Sequence, residues 1–327
     1  MKVLITGGAG FVGTQLVRAL LKRKEILGRP PTELVLADLI KPAADFASIA
    51  CVRPLVGPLI ESCDALAKEQ FDVVFHLAGA VSGDCEADFD LGLRSNLDSC
   101  RALLDALRAA GNCPRLVFAS SVAVFGSDPG IPLPAVIRDS TLPLPQSSYG
   151  IQKFICEQLV ADYTRKGFID GRSGRLMTVA IRSSRSNGAA SGFLSAIVRE
   201  PLNAKDTVCP VPLEMAVALA SPSNTISALI ALAEAPREAL GGRTAVNFPA
   251  LTVQVGEILN ALEAVGGRDA RAHVRFKPDP AIMRIVGSWP SVFESTRAHF
   301  LGLRPDTDMN SIIRQFMNEP GAVHVGA

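Results

Sequence analysis

Tyr149 and Lys153 stand four residues apart in Tyr149-Gly150-Ile151-Gln152-Lys153, the spacing that sets two side chains one turn apart on a single helix face. A phenol beside an ammonium can take a proton from a hydroxyl. A free phenol titrates near 10, and a neutral-pH base must lose about 2–3 units of that, roughly 3–4 kcal/mol in favour of phenolate. A neighbouring cation supplies stabilisation of this kind. Ser121, ending an apolar run, can hydrogen-bond the reacting oxygen and orient it. Tyr-x-x-x-Lys alone is common on protein surfaces, so its weight comes from its company. Far upstream, Lys2-Val3-Leu4-Ile5-Thr6-Gly7-Gly8-Ala9-Gly10-Phe11-Val12-Gly13 runs from apolar strand through glycine turn into helix. There Gly7 permits the tight turn, Gly10 lets the backbone approach phosphate, and Gly13 lets the helix pack on the strand. The helix start, with Phe11 and Val12, offers unpaired N–H groups to a pyrophosphate. Together the two segments read as a site where hydride passes between a hydroxyl carbon and a nicotinamide dinucleotide.

Further residues fit that site. Asp38 ends the second strand 25 residues after Gly13, near the place where an acid binds the adenosine ribose diol. It favours NAD over NADP, because two like charges about 4 Å apart at an effective dielectric near 20 repel by roughly 4 kcal/mol. In Phe75-His76-Leu77-Ala78-Gly79-Ala80, the small residues after Leu77 leave room for a flat ring. His76, inside an apolar run, reads as a core histidine rather than a catalytic one. Asn96 either pins that strand to the catalytic helix through its amide or faces solvent. Leu77, Ala78, Gly79, Asn96 and Thr178 join Tyr149 and Lys153 as expected cofactor contacts.

These side chains must be positioned by alternating strands and helices, the pattern of a parallel sheet covered by helices. Strands are expected at Val3–Thr6, Glu33–Asp38, Cys51–Val56, Phe71–Leu77, Leu116–Ser121 and Arg175–Arg182, and helices over 11–23, 88–110 and 147–165. A helix around Phe193–Arg199, another after Ser221-Pro222 and a strand at Thr244–Phe248 follow. The fold class is therefore α/β, a Rossmann-type doubly wound parallel sheet with a smaller C-terminal substrate lobe. Residues 1–182 with 221–264 are assigned to the NAD-binding domain, and 183–220 with 265–327 to the substrate-binding lobe.

Composition narrows the partners. The 327 residues are 48% hydrophobic with a net charge of +1, enough for a large core and without the basic excess of a nucleic-acid binder. Apolar stretches break well before the roughly 18 residues of a membrane span. The opening glycines fit a strand and turn better than a secretion signal. Seven cysteines without a Cys-x-x-Cys pair read as free thiols in a reducing cytoplasm, with no metal site.

The glycine turn, Asp38, Leu116-Val117-Phe118-Ala119-Ser120-Ser121-Val122-Ala123-Val124-Phe125-Gly126 and Tyr149–Lys153 together resemble the extended short-chain dehydrogenase/reductase family. That resemblance implies catalytic roles for Ser121, Tyr149 and Lys153 and a homodimer formed through the helices at 88–110 and 147–165. Gly167-Phe168-Ile169-Asp170-Gly171-Arg172, Asn187-Gly188-Ala189-Ala190-Ser191-Gly192-Phe193 and Val198-Arg199-Glu200-Pro201-Leu202 are similar to the subgroup of NAD-dependent D-erythronate dehydrogenases. This implies oxidation of C2 of a small sugar acid to the 2-oxo acid. Arg182 and Arg199 are the expected partners of its carboxylate, since arginine binds one bidentately, and Asn187 is an expected substrate contact. The chain departs from the subgroup at Met177 and at Ser183-Ser184, where it lacks prolines, which should loosen the loop over 183–187. A nucleotide-sugar epimerase is the second reading. Val122 and Ala123 stand where a dehydratase of the family would carry an acid pair. A non-catalytic NAD-binding regulator is the third, against which Tyr149 and Lys153 both speak.

Overall fold

Strand β1 (Lys2–Thr6) turns Val3 and Ile5 toward one layer of helices and Leu4 toward the other, all fully buried. The same alternation runs through β2 (Glu33–Asp38), β4 (Val73–His76) and β5 (Arg115–Ser121), as period-two side chains on a two-sided sheet require. With β3 (Val52–Val56), β6 (Asp170–Leu176) and β9 (Val246–Asn247) they form one seven-stranded sheet, ordered β9-β6-β5-β4-β1-β2-β3. Every pairing in it is parallel. The computed structural model describes residues 1–183 and 188–319.

Helices α1 (Phe11–Arg23) and α6 (Pro222–Glu234) cover one face of the sheet. Helices α2 (Leu59–Leu66), α3 (Ser99–Ala110) and α4 (Ser148–Arg165) cover the other. The strand order reverses between β1 and β4, and the crevice beyond the strand ends at such a point is where this architecture binds ligands. On the outer side of the second layer, the Tyr163 hydroxyl of α4 donates to Asp105 of α3 at 2.5 Å. Burial, then that carboxylate, pushes the Tyr163 pKa up to about 12. No helix among the described residues is long and apolar enough to cross a membrane.

A second core lies beyond the sheet's C-terminal edge. Strands β7 (Thr178–Val179), β8 (Ala216–Ala220) and β10 (Leu251–Gln254) make a small sheet. Helices α5 (Phe193–Leu202), α7 (Val255–Ala272), α8 (Pro280–Gly287) and α9 (Met309–Met317) pack around it through Ile197, Ile258, Leu262, Val286, Ile313 and Phe316. Helix α7 crosses residue 264, a boundary drawn from the sequence, and its buried face belongs to this second core. Ala298 and Leu303 instead return to the core of the large sheet.

Most expected elements are present with ends shifted by one or two residues. The expected helix over 88–110 is a short helix (Phe89–Gly92), a wider π-type turn (Leu93–Asp98) and then α3. The expected strand Arg175–Arg182 is displaced. The sheet strand is Asp170–Leu176, and only Thr178–Val179 beyond it is extended, in the other sheet. Asp-Gly-Arg-Ser-Gly-Arg looks too polar for a central strand, yet its polar groups are met inside. Arg172 donates to the carbonyls of Leu232, Ala233 and Ala235 at the end of α6 and pairs with Asp170. A side chain at Gly174 would come within 2.5 Å of the Phe248 ring.

Candidate active site

Thr6 ends β1, and Gly7 follows with φ +72°, the left-handed region that glycine enters without strain. A Cβ at Gly7 would meet Ala78 N at 2.8 Å, and one at Gly13 would meet Gly7 O at 2.1 Å. The turn is thus wedged between β4's end and α1. Gly10 begins α1 with no side-chain cap, and no acid stands in the helix's first turn. The positive end of a 13-residue helix is left to a ligand. Asp38 lies under the turn, its Oδ2 accepting from Ala9 N at 2.9 Å. Gly7, Gly10, Phe11, Val12, Gly13, Leu77, Gly79 and Thr178 all line one cleft of about 1150 Å³, counted with its open mouth. Ala78 is not among the lining residues; its N–H donates to Thr6 Oγ1 at 3.3 Å behind the turn.

Helix α4 delivers the phenol and ammonium to the same cleft. Ser147 caps it, its Oγ accepting from Gly150 N at 3.1 Å. Gly150 allows the approach: a Cβ there would fall 2.1 Å from Ala123 O. Tyr149 lines the same cleft as Ser121, whose Oγ accepts from Ala123 N at 3.2 Å. Lys153 is buried, donates to Ala119 O at 2.9 Å and places Nζ 5.7 Å from the Tyr149 ring centre. One further turn along, Glu157 accepts from Ser120 Oγ at 2.5 Å and takes both arms of Arg175 at 2.9 and 2.7 Å. Helix α4 is therefore fastened to consecutive residues at the end of β5 and, through Arg175, to β6.

His76 lies in the core, its Nδ1 2.7 Å from Thr6 Oγ1. Burial, and then the Lys153 charge, pulls its pKa down to about 3, so it stays a neutral imidazole. Asn96, on the π-type turn, ties two elements together: its Nδ2 donates to Ala80 O at 3.3 Å and to Gln152 Oε1 at 2.8 Å. Asn96 is buried, and the space beside its Oδ1 is kept open by Gly79, where a Cβ would lie 2.6 Å away.

Arg182 lines the cleft. Burial and then Arg199 lower its pKa, while Tyr149, close enough for their charges to couple, opposes this. Arg199 is turned elsewhere, onto Glu200 at 2.7 Å and the Arg182 carbonyl at 2.9 Å. Asn187 and the Ser184 departure lie outside the described residues. Ser82, Met177, Ala189, Ser191 and Trp289 also line the cleft. Met177, Ala189 and Ser191 lie in stretches the sequence reading named but gave no site role, whereas Ser82 and Trp289 sit in no patterned segment.

The family model described as the NAD dependent epimerase/dehydratase family matches residues 3–246. A D-erythronate dehydrogenase from Cupriavidus necator is 43% identical over 98% of this chain and 99% of its own length. A D-erythronate dehydrogenase from Haemophilus influenzae is 39% identical over 97% and 99%. A solved structure from Agrobacterium tumefaciens, described as a nucleoside-diphosphate-sugar epimerase, superposes with a TM-score of 0.87 at 40% identity, covering 98% of this chain and 95% of that one. The uncapped helix start, the glycine turn and Asp38 suit a dinucleotide, and NAD is the cofactor. By its sequence over three-quarters of its length and by the sheet that carries it, the chain belongs to the NAD-dependent epimerase/dehydratase family.

Proposed function

We propose that the protein is an NAD-dependent dehydrogenase oxidising the C2 hydroxyl of a small sugar acid, D-erythronate or a close analogue, to the 2-oxo acid. The supporting observation is that Ser121, Tyr149, Lys153 and Arg182 share one cleft with the glycine turn, in a chain 43% identical to a D-erythronate dehydrogenase. Gly7, Gly10, Phe11, Val12 and Gly13 would hold the pyrophosphate and Asp38 the adenosine ribose. Leu77, Gly79 and Thr178 would wall the cofactor, with Ala78 behind the turn. Asn96 acts one layer back, through Gln152 and Ala80.

When bound, NAD supplies the acceptor for the hydride that leaves C2. Tyr149 Oη takes the C2 hydroxyl proton. Lys153, fixed on the Ala119 carbonyl, holds positive charge beside that phenol and would bind the nicotinamide ribose. Ser121 Oγ accepts from Ala123 N and keeps its own proton to donate to the substrate oxygen. Arg182 pairs with the carboxylate. The second core supplies the substrate-binding lobe, and Arg199 acts there by holding the Arg182 backbone. Helix α4 leaves Ile151 and Ile155 47% and 39% exposed, one turn apart, and we assign this face to a homodimer in the cytoplasm, checked by light scattering of the purified protein.

The 40% identity to a nucleoside-diphosphate-sugar epimerase supports a second reading as a sugar-nucleotide epimerase. Absorbance separates the two: D-erythronate with NAD should accumulate NADH, whereas an epimerase converts a nucleotide sugar with no net NADH. Tyr149→Phe should lower kcat by roughly 10²–10⁴-fold while NADH affinity stays within a factor of about two. Activity within a few-fold of wild type would remove Tyr149 as the base.

A further inference from the structure

Trp289, the single tryptophan of the chain, follows helix α8 and packs against the second core. It lines the catalytic cleft. A narrow hollow with room for about one water, about 10 Å³, lies beside that cleft, and Val122, Thr178 and Trp289 border both spaces. These three side chains are the partition. Val122 and Thr178 are small, so most of the partition's bulk is the indole. The other walls of the void are Ala216, Val217, Ala218, Val286 and Pro290, none with a polar side chain. A polyol reaching past the indole would meet the Thr178 hydroxyl but otherwise apolar side chains, and would bury further hydroxyls at a cost in free energy.

We propose that Trp289 is the specificity-determining residue that limits substrate length, by closing the substrate end of the cleft against this void. The inference rests on the sugar-acid reading above and deepens it. A four-carbon acid bound through Arg182 and Tyr149 ends at the indole. Removing the indole joins the two spaces, and the room gained is apolar. The enlarged site should accept added methylenes before added hydroxymethylenes.

The test compares D-erythronate with 2,3,4-trihydroxyhexanoate of matching configuration, the same acid lengthened by two methylenes, in the NAD-loaded wild type, Trp289→Phe and Trp289→Ala. One methylene in a fitted pocket discriminates by roughly 10–200-fold. The ratio of kcat/KM for the six-carbon over the four-carbon acid should rise at least about tenfold in Trp289→Ala, and less in Trp289→Phe, which preserves more of the core packing. A second measurement keeps the native tryptophan. In Tyr149→Phe loaded with NAD, D-erythronate should shield Trp289 from quenching by acrylamide. An unchanged ratio in both variants overturns the proposal. So does unchanged quenching when calorimetry shows the acid bound, and in either case the dehydrogenase reading survives. If wild type forms no NADH from D-erythronate, that reading fails, and the length limit falls with it.

Discussion

His76 is a titratable group held where it cannot take a proton. In the unfolded chain an imidazole titrates near 6.5, whereas burial and Lys153 bring His76 down to about 3 in the fold. Between those values the unfolded state binds a proton that the folded state refuses. Stability therefore falls as pH drops from about 6.5 toward 3, by up to about 1.4 kcal/mol per unit. It is fully retained above the unfolded value. His76→Asn keeps a polar partner for Thr6 and has nothing to titrate, so its urea midpoint should fall less than wild type between pH 7 and 4.5. Equal losses would place the acid sensitivity elsewhere. That His76 is structural was legible from its apolar neighbours. The glycine turn, Tyr149 and Lys153 were legible too, because their spacing is itself the geometry. Arg182 and Arg199 were indistinguishable by type, and only the folded chain shows one on the cleft and the other turned onto Glu200. Trp289 carried no local signal, since its role depends on a void made by strands distant in sequence.

Between elements, the bidentate pair Arg175–Glu157 joins the catalytic helix to two strands, with both side chains at 5% exposure or less. Removing one partner of a buried pair leaves a lone charge and costs about 3–5 kcal/mol, whereas replacing both by apolar residues of similar volume is often neutral or stabilising. Glu157→Met and Arg175→Met should each lose stability in that range, and the double variant should recover most of it. Equilibrium denaturation of the four proteins closes the cycle, and additive losses would show that the pair is not coupled. The double variant also frees Ser120 from its carboxylate, so its kcat should stay below wild type even when its stability returns. This pair sits on the strand the sequence reading misplaced. Leu176–Ile181 is the stretch with the apolar character of a buried strand, but the register of the sheet is set one segment earlier, where Gly171 and Gly174 make room for Thr164 and Phe248. Burying Arg172 and Arg175 is possible because helix-end carbonyls and a carboxylate are already waiting for them. No period-two pattern reveals that.

Across the whole molecule, two hydrophobic cores meet at one cleft whose walls come from both: the glycine turn, Ser121 and Tyr149 from the large sheet, Trp289 from the chain packed on the second core. NAD at a hundredfold excess over its Kd should add about 2.7 kcal/mol to unfolding. NADP at the same concentration should add clearly less, because its extra phosphate would meet Asp38, already drawn against Ala9 N. Thermal melts with each dinucleotide check this, and equal shifts would remove Asp38 as the selector. The doubly wound arrangement was legible from alternation along the first half of the chain. That α7 belongs to the second core was not, since an amphipathic helix does not say which partner its apolar face will meet. The Tyr163–Asp105 contact has an optical consequence. The protein holds only two phenols, and burial with the Asp105 carboxylate pushes the pKa of the surface one, Tyr163, up to about 12. The Tyr163 phenolate band should therefore come up late in an alkaline ultraviolet titration, and Asp105→Asn, which removes the opposing charge, should bring it earlier, so a spectrophotometer can read the contact between α3 and α4 with no label attached.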